Sequence, residues 1–138
     1  MSTTLHARLQ SAGLRATPKR LAIGKLLFDG MDRHVTADDV AALARKHNVR
    51  VSLATVYNTL NQFVAAGLMK RITLDSDRTW FDTNVSDHHH LFFEDGGDLH
   101  DVPGDTVRVE GLPPIPAGAK IRSIEVIVRM AGDAPKKG

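Results

Sequence analysis

Residues 52–67 read SLATVYNTLNQFVAAG, and the fold is decided there. Ser52 is a good N-cap, since its hydroxyl can accept from an orphan amide of the first helical turn. Gly67 suits the left-handed position just past a helix end. Leu53, Val56, Leu60, Phe63 and Val64 fall on one face at helical spacing. The opposite face carries Thr55, Asn58, Thr59 and Gln62, with Tyr57 and Asn61 along its edges, and it has no charge. Short hydroxyls, amides and one phenol match base edges and thymine methyls in a major groove. A plainly solvated polar face is the alternative.

Upstream, the spacing predicts three more helices. Thr4 caps a first one in which Leu5, Leu9 and Ala12 lie together, ended by Gly13. Thr17 followed by Pro18 is a second start, because proline at the first helical position loses no hydrogen bond. That helix runs to about Phe28, with Leu21, Leu26, Leu27 and Phe28 facing a core. Arg15, Lys19 and Arg20 crowd its entrance, where cations oppose the helix dipole; a phosphate partner gives them a purpose. Thr36 caps the third helix, with Asp38 and Asp39 in its first turn and Val35 and Val40 spaced as a hydrophobic staple. It ends near His47 and Asn48, and His34 falls in the loop before it.

Downstream, Lys70 to Asp82 alternates as a β-hairpin around an Asp75–Ser76–Asp77 turn. Helices, a reading helix and a basic-edged hairpin make a winged helix. From Asn84 the character changes. His88 to Phe93 reads as a strand followed by a turn at Asp95–Gly97. Leu99 to Val102, Val107 to Glu110 and Ile121 to Met130 read as three more strands, the last apolar on both faces. The tail from Ala131 is polar. The fold class is α+β: a winged-helix DNA-binding domain over 1–84 and a small α/β dimerisation domain over 85–138. So thin a sheet buries little by itself, and a second copy would cover it.

Charge divides the same way. Residues 1–70 hold ten Lys/Arg and four Asp/Glu, a balance of +6; residues 71–138 hold eight and twelve, a balance of −4. A basic front half suits a polyanion, through counterion release. With no cysteine among 138 residues, disulfides, thiolate zinc sites and cysteine nucleophiles are excluded. No apolar run nears the roughly 20 residues that span a bilayer, and the first ten residues lack a signal-peptide core, so no membrane is expected and the cytoplasm is.

The acidic half bears His88, His89 and His90 in a row. On a strand, His88 and His90 share one face and His89 takes the other. His100 and Asp101 follow the next turn, and Asp82 precedes the run. Imidazole plus carboxylate is the ligand set for zinc, ferrous iron or manganese. Three surface histidines on an edge strand are the alternative. No nucleophile motif or phosphate-binding glycine loop accompanies them, so an enzyme is not expected.

GLRATPKRLAI, His34 to Val40, the ATVYNTLNQF stretch, and WFD with HHHLFF together resemble the ferric uptake regulator (Fur) family over about residues 10–102. Asn58, the HHH run, the lack of cysteines and PPIPAG are most similar to its iron response regulator (Irr) branch. The resemblance implies a metal- or haem-responsive transcriptional regulator of iron homeostasis. It would be a homodimer on a pseudo-palindromic double-stranded DNA operator. A manganese- or zinc-sensing repressor of the same family is the alternative, and a histidine-rich metal- or haem-trafficking protein is the alternative from another class. The family's hinge-side metal site maps onto His34, Asp82, His90 and Asp101, with His88 as a fifth ligand, for iron, manganese or zinc. Asp stands there where iron regulators usually have Glu. DNA contact carries over to Tyr57 in the groove, Ser52, Thr55 and Asn58 near it, and Arg15, Lys19 and Arg20 on the backbone or minor groove. The structural zinc site is implied to be absent, with Phe93 and Gly96 in its first CxxC pair. The second metal site is implied to be dismantled by His89, Arg108 and Arg129. In Irr-like proteins the HHH region is associated with haem, which assigns His89, with His88 or His90, to haem.

Overall fold

The computed structural model describes residues 4–74, 78–86, 88–132 and 134. The chain divides into two compact units, Met1–Val85 and Ser86–Gly138. Among the described residues, no helix is long and apolar enough to cross a membrane.

The N-terminal unit runs α1 (Leu5–Ser11), α2 (Pro18–Leu27), β1 (His34–Val35), α3 (Ala37–Lys46), α4 (Leu53–Ala65), β2 (Lys70–Thr73) and β3 (Thr79–Asp82). Local chemistry starts each helix. The hydroxyls of Thr4, Thr17, Thr36 and Ser52 accept from Ala7, Arg20, Asp39 and Thr55 N–H respectively. At α3 the cap is reciprocal, because the Asp39 carboxylate also accepts from Thr36 N–H at 3.0 Å. Gly67 ends α4 with φ +79°, a conformation that costs other residues about 1–2 kcal/mol.

Leu9, Ile23, Leu27, Val40, Val56, Leu60, Phe63 and Phe81 are fully buried and form one core. Each such side chain contributes about 1.5–3 kcal/mol when removed from water. Two helix faces differ from the reading above. Leu53, at the very start of α4, is 49% exposed, whereas Thr59 is buried. Thr59 is tolerated there because its hydroxyl donates to the Thr55 carbonyl at 2.8 Å. On α2 the buried positions are Ile23, Gly24 and Leu27, with Leu21, Leu26 and Phe28 only half-buried.

β2 and β3 pair antiparallel, and β1 adds a third strand on the other side of β3, giving the order β1-β3-β2. His34 is therefore not in a loop. It is hydrogen-bonded strand, in register with Asp82. The expected turn at Asp75–Asp77 lies outside the described residues.

The C-terminal unit holds β4 (His88–Phe93), β5 (Asp98–Pro103), a 3-10 turn (Gly104–Thr106) and β6 (Ile127–Met130). β4 is central, antiparallel to β5 and parallel to β6. The strand expected at Val107–Glu110 is absent: these residues are irregular and pair with no described strand. The last strand is four residues long rather than ten, because only Ile127–Met130 lies beside β4. Residues 121–130 are apolar on both faces in sequence, which suggests a segment covered on both sides, but Ile124, Val128 and Met130 are exposed in the single chain. Of the polar tail, 133 and 135–138 lie outside the described residues.

Candidate metal centre and nucleic-acid interface

Within the N-terminal unit, pairing of β1 with β3 sets His34 Nε2 3.2 Å from Asp82 Oδ2. Asp82 is fully buried, and its other oxygen accepts from Asn84 N–H at 2.8 Å. The backbone beside this pair is pinned twice: Arg33 N–H donates to Thr83 Oγ1 at 2.9 Å, and Thr83 N–H donates to the Arg33 carbonyl at 3.0 Å. Arg33 also bridges Asp29 at 2.6 Å, and this hydrogen bond holds the Asp29 carboxyl below its usual value.

Within the C-terminal unit, His88 and His90 lie on one face of β4, and the register sets His90 opposite Asp101 of β5. A single oxygen, Asp101 Oδ1, lies 3.2 Å from His88 Nε2 and 3.4 Å from His90 Nε2. The two rings are 4.6 Å apart, and both are buried. The proton on His88 decides what this means. His88 Nδ1 is 2.6 Å from the Ser86 carbonyl. A carbonyl only accepts, so Nδ1 carries the hydrogen, and neutral His88 keeps its lone pair on Nε2. That lone pair faces a carboxylate oxygen. Two acceptors this close repel unless a proton or a metal cation lies between them. An imidazole that donates its remote N–H to a carbonyl is the standard arrangement of a metal-ligating histidine. The donor set of imidazole nitrogens and carboxylate oxygens fits zinc, ferrous iron or manganese.

His89 does not join them. It lies on the other face of β4, and its Nδ1 accepts from Val126 N–H at 3.0 Å. It lines a shallow recess of about 650 Å³ with Gly104, Asp105, Val107, Val109, Ile121 and Ile124. His100 rests edge-on against Phe93.

The α4 surface is as uncharged in three dimensions as in sequence. Ser52, Leu53, Ala54, Tyr57, Asn58 and Gln62 are exposed, and Thr55 is half-buried. Ser52 and Thr55 are partly engaged with each other, the Ser52 hydroxyl donating to Thr55 Oγ1 at 2.9 Å. Tyr57, 42% exposed, stands edge-on to Phe81 with ring centroids 6.0 Å apart. Cations flank this surface on both sides. Arg20 donates through Nε to Gln62 Oε1 at 3.0 Å and through Nη1 to the Arg15 carbonyl at 2.9 Å. Arg15 and Lys19 are exposed near it. On the other side Arg71 of β2 donates to Asn61 and lies over the Phe81 ring. Arg71 was not singled out above. Its signal was its place in the KRIT strand, one residue from the hairpin's basic edge.

A helix bundle with an exposed uncharged helix, a three-stranded wing and histidine–aspartate clusters defines a winged-helix protein with a candidate metal-binding donor set. The family comparison is specific. The ferric uptake regulator family matches residues 11–128, and the chain belongs to that family. It is 38% identical over 92 residues to the ferric uptake regulation protein of Cupriavidus metallidurans, covering 66% of this chain and 64% of that protein. It is 39% identical over 93 residues to the peroxide operon regulator of Bacillus subtilis, covering 67% and 63%. The chain thus spans just under two thirds of the length of these relatives. Among solved structures, the ferric uptake regulator of Pseudomonas aeruginosa with manganese superposes with a TM-score of 0.72 at 25% identity. That match covers 96% of this chain and all of that one.

Proposed function

We propose that this protein is a metal-responsive, DNA-binding transcriptional regulator and not an enzyme. The observation that carries this reading is the convergence of the His88 and His90 ring nitrogens on one Asp101 oxygen, a donor set that suits a divalent cation. His34 and Asp82 form a second donor pair. Family membership supports assigning all five to divalent-ion binding, His34 and Asp82 in the N-terminal unit and His88, His90 and Asp101 in the C-terminal unit. Carboxylates and imidazoles would hold the ion, which supplies positive charge and a fixed ligand geometry. Metal occupancy would then set how two reading helices are presented to DNA. Iron is the expected signal. Manganese is the second reading, favoured by the short Asp side chains at positions 82 and 101 and by the manganese-containing relative.

The DNA surface would be α4, with Tyr57 and Asn58 at base edges, Ser52 and Thr55 beside them, and Arg15, Lys19, Arg20 and Arg71 on phosphates. This uncharged helix between cations favours a DNA reader over a metal-trafficking protein. The functional form would be a homodimer on a pseudo-palindromic operator. Val109, Leu112, Ile115, Ile121, Ile124 and Val128 are large apolar side chains left exposed in the C-terminal unit, surface that a second copy could cover.

Haem was expected at His89 with His88 or His90. The residues do not fit that arrangement: His88 and His90 face Asp101, and His89 is turned away and hydrogen-bonded through Nδ1 to a backbone N–H. A titration with haemin tests this, and an unchanged Soret band is the expected result. Footprinting of genomic DNA fragments with metal-free and manganese-loaded protein tests the main reading. Protection that requires the metal supports it, and no sequence-selective protection in either state overturns it.

A further inference from the structure

The three consecutive histidines look chemically equivalent in sequence. Their hydrogen bonds make them opposites. His88 Nδ1 sits 2.6 Å from a carbonyl and must donate. His89 Nδ1 sits 3.0 Å from the Val126 N–H and must accept. Neutral His89 therefore holds its hydrogen on Nε2, and its one lone pair is already engaged. To ligate through Nε2 it would move the hydrogen to Nδ1, where it would meet the hydrogen of Val126.

The backbone on the far side of the same residue is also held. His90 N–H donates to the Val126 carbonyl at 3.0 Å. The adjacent residues 89 and 90 thus grip Val126 by its donor and its acceptor, the first through a side chain and the second through the main chain. Immediately after Val126 the parallel ladder begins, with His90 beside Ile127. His89 is 8% exposed, so this bond lies where water competes poorly.

We infer that His89 is a positioning residue and not a ligand: its Nδ1 accepts from Val126 N–H and docks the start of β6 onto the strand that carries His88 and His90. It extends the β4–β6 ladder by one hydrogen bond that the backbone of β4 does not itself supply. This deepens the metal-site reading by dividing the histidine run into two donors to an ion and one strut for the sheet.

The test uses the whole 138-residue chain and two substitutions. Asn places its Oδ1 where His carries Nδ1 and has nothing at the Nε2 position, so His89→Asn keeps the strut and removes any ligand. His89→Ala removes both. Long-range proton–nitrogen NMR of the wild type should show the Nε2–H form of His89, both metal-free and after adding zinc chloride, a diamagnetic ion that leaves the ring nitrogens observable. The Val126 amide should exchange about threefold to tenfold faster in His89→Ala than in the wild type, and at the wild-type rate in His89→Asn. Zinc affinity of His89→Asn should stay within about twofold of wild type, a smaller change than loss of even an outer-shell partner of a ligand brings. An Nδ1–H form of His89, a zinc-shifted His89 nitrogen, or loss of zinc or haemin binding in His89→Asn would overturn the inference. If His90→Ala leaves zinc affinity unchanged, the metal-site reading fails instead, and the His89 result stands separately. The NMR and His89→Asn arms remain decisive if His89→Ala does not fold.

Discussion

Replacing Asp101 with Asn should have two effects of opposite sign. In the metal-free protein Asp101 Oδ1 sits 3.2 Å and 3.4 Å from two ring nitrogens, one of which, on neutral His88, carries a lone pair. His88 Nε2 is a buried acceptor, and setting such a group against another acceptor costs about 1–3 kcal/mol, but Asp101 is exposed and water screens part of this; a hydrogen bond made there returns about 0.5–1.5 kcal/mol. The Asn amide can donate to His88 Nε2 where the carboxylate cannot. Metal-free Asp101→Asn is therefore expected to be more stable than metal-free wild type by about 1 kcal/mol, which for a unit of this size is about 4–8 °C in Tm. Metal reverses the order. An ion at a hundred times its Kd stabilises the wild type by about 2.7 kcal/mol, and the variant, lacking the anionic donor, should gain little of it. The assay is thermal unfolding followed by circular dichroism, with and without excess manganese, for both proteins. A variant that is less stable without metal and gains as much from metal as wild type would refute the acceptor–acceptor argument.

Three further outcomes follow from the geometry. Tyr57→Ala should weaken specific DNA binding by about 1–3 kcal/mol and leave random-sequence binding nearly unchanged, as measured by competition gel shifts; equal losses on both DNAs would remove Tyr57 from the reading surface. Arg71→Ala should lower the slope of log affinity against log salt by about 0.9, the value for one phosphate contact, and an unchanged slope would leave Arg71 as a prop for Asn61 and Phe81. Asp29 has its carboxyl held below its ordinary value by Arg33, so its contribution to stability is present above pH 3.8 and is lost as pH falls through the lowered value. Acid unfolding of Asp29→Asn, followed by tryptophan fluorescence, should lack that part of the pH dependence.

Helix starts were legible because capping is local chemistry. Thr4, Thr17, Thr36 and Ser52 each need only a hydroxyl three residues before an unbonded N–H. The alternation of His88 and His90 against His89 was legible for the same reason, since strand geometry fixes it at once. What required the folded chain was pairing. His34–Val35 is too short to announce itself, and it is a strand only because Phe81 and Asp82 arrive beside it from nearly fifty residues away. Val107 and Val109 alternate as a strand would, yet no strand lies next to them within the described chain. The same holds for Ile121 to Glu125, whose neighbour β4 is reached only at Ile127. Tautomers were beyond the sequence altogether, because three identical side chains are distinguished by a carbonyl at Ser86 and an N–H at Val126.

Control of DNA binding by a divalent ion held by these histidines and aspartates underlies the proposed function. It is tested most directly by metal analysis of the purified protein paired with DNA-binding curves for stripped and reloaded samples, in wild type and in His34→Ala and His90→Ala. Bound metal is expected in the wild type and should be lowered in both variants, together with tight, sequence-specific DNA binding. Specific DNA binding that is indifferent to stripping, reloading and both substitutions would contradict it.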